Sequence, residues 1–198
     1  MLGTLLTIAI VAVVLYPMYV LLDMSARRLI RRNTSGWKDN DDPQAVSLAL
    51  NFLNASKKSF YVFDDGDFDE DSTYHSDRFT AAAEKKMKAD PDFKIRCFFN
   101  HGSEDLLFIE RFSDSEFSRN GQIELFRRKE EEHPDGYHCK IADDGVQGTL
   151  SEHLDGGRRR FKTFSCQDMP WPDRVMAKRI IVKELAQDES LFEKIGRG

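Results

Sequence analysis

The chain has 198 residues, with 29 Lys+Arg, 34 Asp+Glu, 12 Gly, 6 Pro and 3 Cys. This excludes collagen-like and low-complexity architectures, and it is long enough for one cored domain plus an appendage. Charge is unevenly spread. Residues 1–36 hold four Arg and one Asp, a net of +3, which leaves 25 basic and 33 acidic side chains, a net of −8, for the remainder. A domain that acidic has no broad attraction for nucleic acid, although a local basic patch is compatible with it. Cys97, Cys139 and Cys166 are odd in number and lack a C-x-x-C pair. A disulfide framework and a structural zinc site are therefore not expected, and three thiols in a reducing compartment are.

Residues 2–22 form an uncharged run of 21 residues, and about 20 residues of helix cross the hydrocarbon of a bilayer. A buried core helix of this length would carry a polar stripe, and a cleaved signal peptide would carry basic residues before the run. Here Arg27, Arg28, Arg31 and Arg32 follow it. The expectation is a retained single-pass anchor over residues 1–24, with Tyr16 and Tyr19 in the interfacial belt. The arginines keep their side of the membrane cytoplasmic, so the large domain faces the cytoplasm. Residues 25–42 read as a basic juxtamembrane segment and polar linker, and residues 43–198 as the domain.

Within the domain, Asp42 and Pro43 open a helix carrying Val46, Ala49, Leu50 and Leu53 at helical spacing. Residues 59–63 read as a buried strand and 64–71 as an acidic loop. A helix over 76–89 turns Phe79, Ala82, Ala83 and Met87 inward, and a strand follows over 93–99. Ser103 caps a helix reaching Phe112, and 122–126 is a third strand. Residues 137–142, 146–150 and 160–164 are short strands separated by D-D-G and D-G-G turns, which favour hairpins. Pro172 then opens a last helix with Val175, Met176, Ile180, Ile181 and Leu185 at helical spacing and Phe192 near its end. This order implies a mixed α/β fold, a mixed sheet covered by helices.

Several motifs carry candidate chemistry. Asp65, Asp67, Asp69 and Asp71 alternate like calcium ligands but lack the Gly and terminal Glu of an EF-hand, and read as a solvated loop. His75, His101, His133 and His153 have no mutual ligand spacing. The runs Glu130–Glu132 and Arg158–Arg160 read as solvated charge, although those arginines are suited to holding a phosphate. His138-Cys139-Lys140 is more informative. In an extended strand, residues i and i+2 share a face, so imidazole and ammonium reach one site while Cys139 turns to the core. A histidine can attack phosphorus, and a lysine can neutralise the non-bridging oxygens.

The surroundings of this motif resemble a phospholipase D-like domain. A helix leads through Ala55-Ser-Lys-Lys-Ser into the first strand, and a helix containing Ala81-Ala82-Ala83 precedes the second. The third strand, a loop and Tyr137-His-Cys-Lys-Ile141 follow, then Gly148-Thr149 in place of Gly-Ser. The resemblance spans roughly residues 43–195. It implies His138 as nucleophile, Lys140 as charge partner, and Asp144 and Thr149 as further catalytic positions. It also implies a homodimer joining two motifs, and no metal or other cofactor. Two positions depart from the family: the acid five residues beyond the lysine is Gly145, and the Gly-Ser-x-Asn segment reads Gly148-Thr-Leu-Ser-Glu152; the chain also has one H-x-K where the family active site joins two. The function implied is a membrane-anchored phosphodiesterase acting on a phospholipid or, second, a nucleic acid. The alternative is an inactive scaffold or sensor that binds a protein or an anionic ligand at the membrane. A third reading is a haloacid-dehalogenase-like phosphatase, which Asp65-x-Asp67 and the pair Asp143-Asp144 resemble.

Overall fold

A computed structural model describes residues 2–36, 38–40, 42–64, 73–99, 106–129, 137–143, 145–153, 159–185 and 191–195. Among these, the side chains of residues 2–12, 39–40, 42–45, 64, 137–138, 153, 159 and 182–185 lie outside the description. The chain order is α1 (Leu2–Arg32), β1 (Lys38–Asn40), α2 (Asp42–Ala55), β2 (Ser59–Asp64), a 3-10 turn (Thr73–His75), α3 (Asp77–Ala89) and β3 (Lys94–Phe99). It continues with α4 (Leu107–Phe112), α5 (Glu116–Arg119), β4 (Ile123–Arg128), β5 (Tyr137–Ala142), β6 (Gln147–His153), β7 (Arg159–Ser165), α6 (Trp171–Leu185) and β8 (Phe192–Lys194).

One eight-stranded sheet runs β1-β7-β6-β5-β2-β3-β4-β8. The neighbours β2, β3 and β4 are parallel, and every other pairing is antiparallel. The parallel part follows from the connections: parallel neighbours need a crossover, which the chain from β2 to β4 supplies as helices, while a short turn suffices to join β5 to its antiparallel neighbour β6. Strand alternation sends Phe60, Val62, Ile95, Cys97, Ile123 and Leu125 to one face, where Ala49 and Leu53 of α2, Phe79, Ala83 and Met87 of α3, and Phe108 and Phe112 of α4 bury them. The other face buries Phe63, Phe98, Cys139, Ile141 and Phe164 against Ala177, Ile180 and Ile181 of α6 and Ala26 of α1. Phe63, Phe98 and Phe126 stand in register on that face and stack, with centroids 4.5 and 4.6 Å apart.

Three regions differ from the sequence expectation. Residues 33–40, read as a polar linker, pair with the sheet: Thr34 bridges Phe164, Ser35 N–H donates to Thr163 O at 2.8 Å, and β1 extends β7. A short polar segment becomes a strand when a long neighbouring edge offers it hydrogen bonds. Phe192 lies in β8 rather than near a helix end, paired with Arg128 of β4. The sheet therefore has strands on both margins that local pattern did not show. Among the described residues no helix is long and apolar enough to cross a membrane. The side chains that open the uncharged run, residues 2–12, lie outside them.

Candidate active site

The site is assembled around one cross-strand row. Leu125, Cys97, Val62, Lys140, Thr149 and Thr163 are successive register partners from β4 through β7. Partners in register project from the same face, so the row passes from apolar core to polar side chains as it leaves β2. Lys140 is half-buried, and its Nζ stands 5.9 Å from the centroid of the Tyr74 ring. That ring is wedged edge-on among Phe79, Phe99 and Phe108 at 5.7, 5.2 and 6.0 Å. An ammonium over an aromatic face in partly dry surroundings is held by the ring quadrupole. Thr149, directly across from Lys140, is 1% exposed.

His138 occupies the same strand two positions earlier, with its Cα opposite Ser151. Alternation assigns positions 138, 140 and 142 to one face, and its side chain lies outside the described atoms. Asp144, Asp65, Asp67, Asp69, Asp71, His101, His133 and Glu130–Glu132 also lie outside the described residues. Lys140 and Thr149 are thus the two expected site residues whose side chains the structure brings together. Of the arginine run, Arg160 is engaged by Glu152 across β6 and β7. Among the described residues no cluster of three or more His, Cys, Asp or Glu is arranged to hold a metal.

The turn after β5 bears on the acid that the phospholipase D resemblance expects at position 145. Asp143 sits at φ 52°, and its Oδ1 accepts N–H bonds from Lys57, Lys58 and Ser59 at 2.7, 2.7 and 3.3 Å. Asp143 N–H in turn donates to Ser59 O at 2.8 Å. Its carboxylate is spent on locking the turn that leads into β2. This removes it from the acid pair of the phosphatase reading, and the antiparallel setting of β5 against β2 does not suit that reading either. Gly145 lies at φ 94°, a conformation an aspartate adopts only with strain. The turn geometry thus favours glycine over an acid at position 145. Gly148 has a packing reason of its own: a Cβ there would lie 2.5 Å from the Phe164 ring and even closer to the Lys140 carbonyl oxygen.

Cys97, Cys139 and Cys166 are buried and not joined in disulfides. Cys139 packs on the face opposite Lys140, as alternation requires. Burial pushes the Cys166 thiol up to about 11, against a smaller opposing pull from Lys178. The Tyr74 platform and the Asp143 lock were not legible in sequence, because each depends on a contact between distant segments. An aspartate opening a D-D-G turn was the one available signal for the second.

No family model matches the chain, and no curated protein does. Solved structures do resemble it in shape. Nuc from Salmonella typhimurium, a phospholipase D family member, aligns with TM-score 0.49 and 10% identity over 83% of this chain and 99% of its own. NucT from Helicobacter pylori aligns at 0.44 and 12% over 82% and 100%. Phosphatidylserine synthase from Haemophilus influenzae aligns at 0.47 and 9% over 74% of this chain and 36% of its own.

Proposed function

We propose that this protein is a membrane-anchored phospholipase D-like phosphodiesterase that works without a metal. The observation that carries the reading is the H-x-K strand itself: positions 138 and 140 share one sheet face, with Lys140 half-buried beside buried Thr149. In this mechanism two protomers pair their motifs. His138 of one attacks phosphorus and holds the phosphoryl group, and its counterpart protonates the leaving oxygen before water releases the product. Lys140 offsets charge on the transferring group, where partial exclusion of water strengthens the interaction. Thr149 supports the lysine from the adjacent strand, and Asp144 is the remaining acid near the turn.

The anchor belongs to the same proposal. Val13, Leu15, Tyr16 and Leu21 of α1 are more than half exposed, and apolar patches of this kind mark a lipid or protein contact. Helix rise makes the uncharged run roughly 31 Å long, close to the hydrocarbon thickness of about 30 Å. A phospholipid is accordingly the first substrate class and nucleic acid the second. The test is hydrolysis of a phosphodiester by the full chain in detergent with EDTA present. Turnover in EDTA that His138→Gln abolishes supports the enzyme. Turnover needing magnesium overturns the mechanism. A folded chain with no turnover on either substrate leaves the inactive scaffold or sensor as the reading.

A further inference from the structure

A cleft of about 510 Å³ lies at the opposite end of β5 from His138, a size within the range of roughly 300–1,000 Å³ for small-ligand pockets. Its walls carry Lys57, Lys58, Arg174 and Lys178 against one carboxylate, Asp143. That carboxylate already accepts three backbone N–H bonds. Four cations on a domain of net charge −8 form a local field opposite to the molecule's own. Trp171 opens the cleft with 71% of its surface exposed, and nothing described covers it. It is also the first residue of α6, whose first turn carries Asp173. Gln147 and Gln167 line the wall, and Arg174 is steadied by donating to Gln167 O at 3.2 Å.

From this arrangement we infer a binding site for a nucleoside phosphate, either free or within a single strand. An exposed indole flanked by cations stacks a planar base while the lysines and arginines take the phosphate, and the glutamine amides offer donors and acceptors to a base edge. A lipid headgroup has no planar ring to lie on the indole, which favours a base there. The cleft adjoins the end of α1, since Cys166 N–H donates to Val146 O and the preceding Ser165 N–H donates to Asn33 O. The site is also separate from the H-x-K end, since Asp143 lies five residues from His138, about 17 Å by strand rise.

The experiment uses the full chain in zwitterionic nanodiscs, with Trp37→Phe so that Trp171 alone reports. Two probes are titrated: ATP, and an oligouridylate of about ten nucleotides. Saturable quenching by either supports the site. Comparable affinity for both identifies a free nucleotide, and tighter strand binding identifies a strand. Binding to the strand should fall with salt with a log–log slope no steeper than about −3, four cations at about 0.7 each. The double variant Arg174→Gln/Lys178→Gln should weaken binding at least about tenfold, and Trp171→Leu, followed by anisotropy of a labelled probe, should weaken it about fivefold or more. His138→Gln should bind normally, which separates this site from the hydrolytic reading. The inference is overturned by absence of saturable binding, by indifference to both sets of variants, or by equal competition from polyglutamate or anionic vesicles.

Discussion

At one end of β5, His138 and Lys140 occupy alternate positions of a regular antiparallel strand; at the other, Asp143 and Gly145 both adopt positive φ. The first end rests on positions that alternation assigns to one face. The second depends on backbone: Asp143 ties three N–H groups of the entry to β2, and Gly145 supplies a conformation that a side chain would strain. Under the proposed function, chemistry and architecture are thus separable within one hairpin. Substitutions at the first end should remove activity and spare the fold, and those at the second should do the reverse.

The sharpest way to break that contrast is His138→Gln and Lys140→Ala. Each should lower phosphodiester turnover by roughly three orders of magnitude or more while leaving the melting temperature near that of the parent. A Tm loss comparable to the activity loss would erase the distinction. Gly148→Ala comes next, because its Cβ would press on Phe164 and on backbone of β5. Overpacking of this kind costs about 3 kcal/mol, readable in denaturant unfolding.

Asp143→Ala should cost about 2 kcal/mol through three lost N–H bonds and the strain of alanine at positive φ, and Asp143→Asn about half of that, since an amide oxygen still accepts and Asn tolerates positive φ. Gly145→Asp places an acid where the phospholipase D resemblance expects one, yet it should destabilise by about 1–2 kcal/mol and leave turnover no higher. The smallest effect is on pH. The Cys166 thiol rises from 9.0 to about 11 on folding, so the folded state keeps its proton while the unfolded thiol ionises. Stability contributed by this group is complete below about pH 9 and declines as pH climbs towards 11. Chemical denaturation across that window, compared with Cys166→Ala, checks the sign. Alkylation of native Cys166 at pH 8 should be slow.

Much of the architecture was legible in short windows. The helix with Phe79, Ala83 and Met87 inward declares itself by period, and the strands read over 59–63, 93–99 and 137–142 from short apolar runs fall at Ser59–Asp64, Lys94–Phe99 and Tyr137–Ala142. The strand position of the H-x-K motif was equally legible. β1 and β8 were not, because three-residue segments carry no periodicity and become strands only where β7 and β4 present open edges. The long polar segment after Arg32 showed turn composition, and composition cannot reveal that Ser35 will meet Thr163 across 128 positions.

Sequence alone therefore determined the local terms: the uncharged run, the mixed order of helices and strands, and the placing of positions 138 and 140 on one face. Tertiary structure decided the rest. It put Tyr74 under Lys140, engaged Asp143 with residues 57–59, and gathered Lys57, Lys58, Arg174 and Lys178 around Trp171. Periodicity is set by the backbone repeat of a single segment, whereas a neighbour across the fold is set by which register buries the most apolar surface at once.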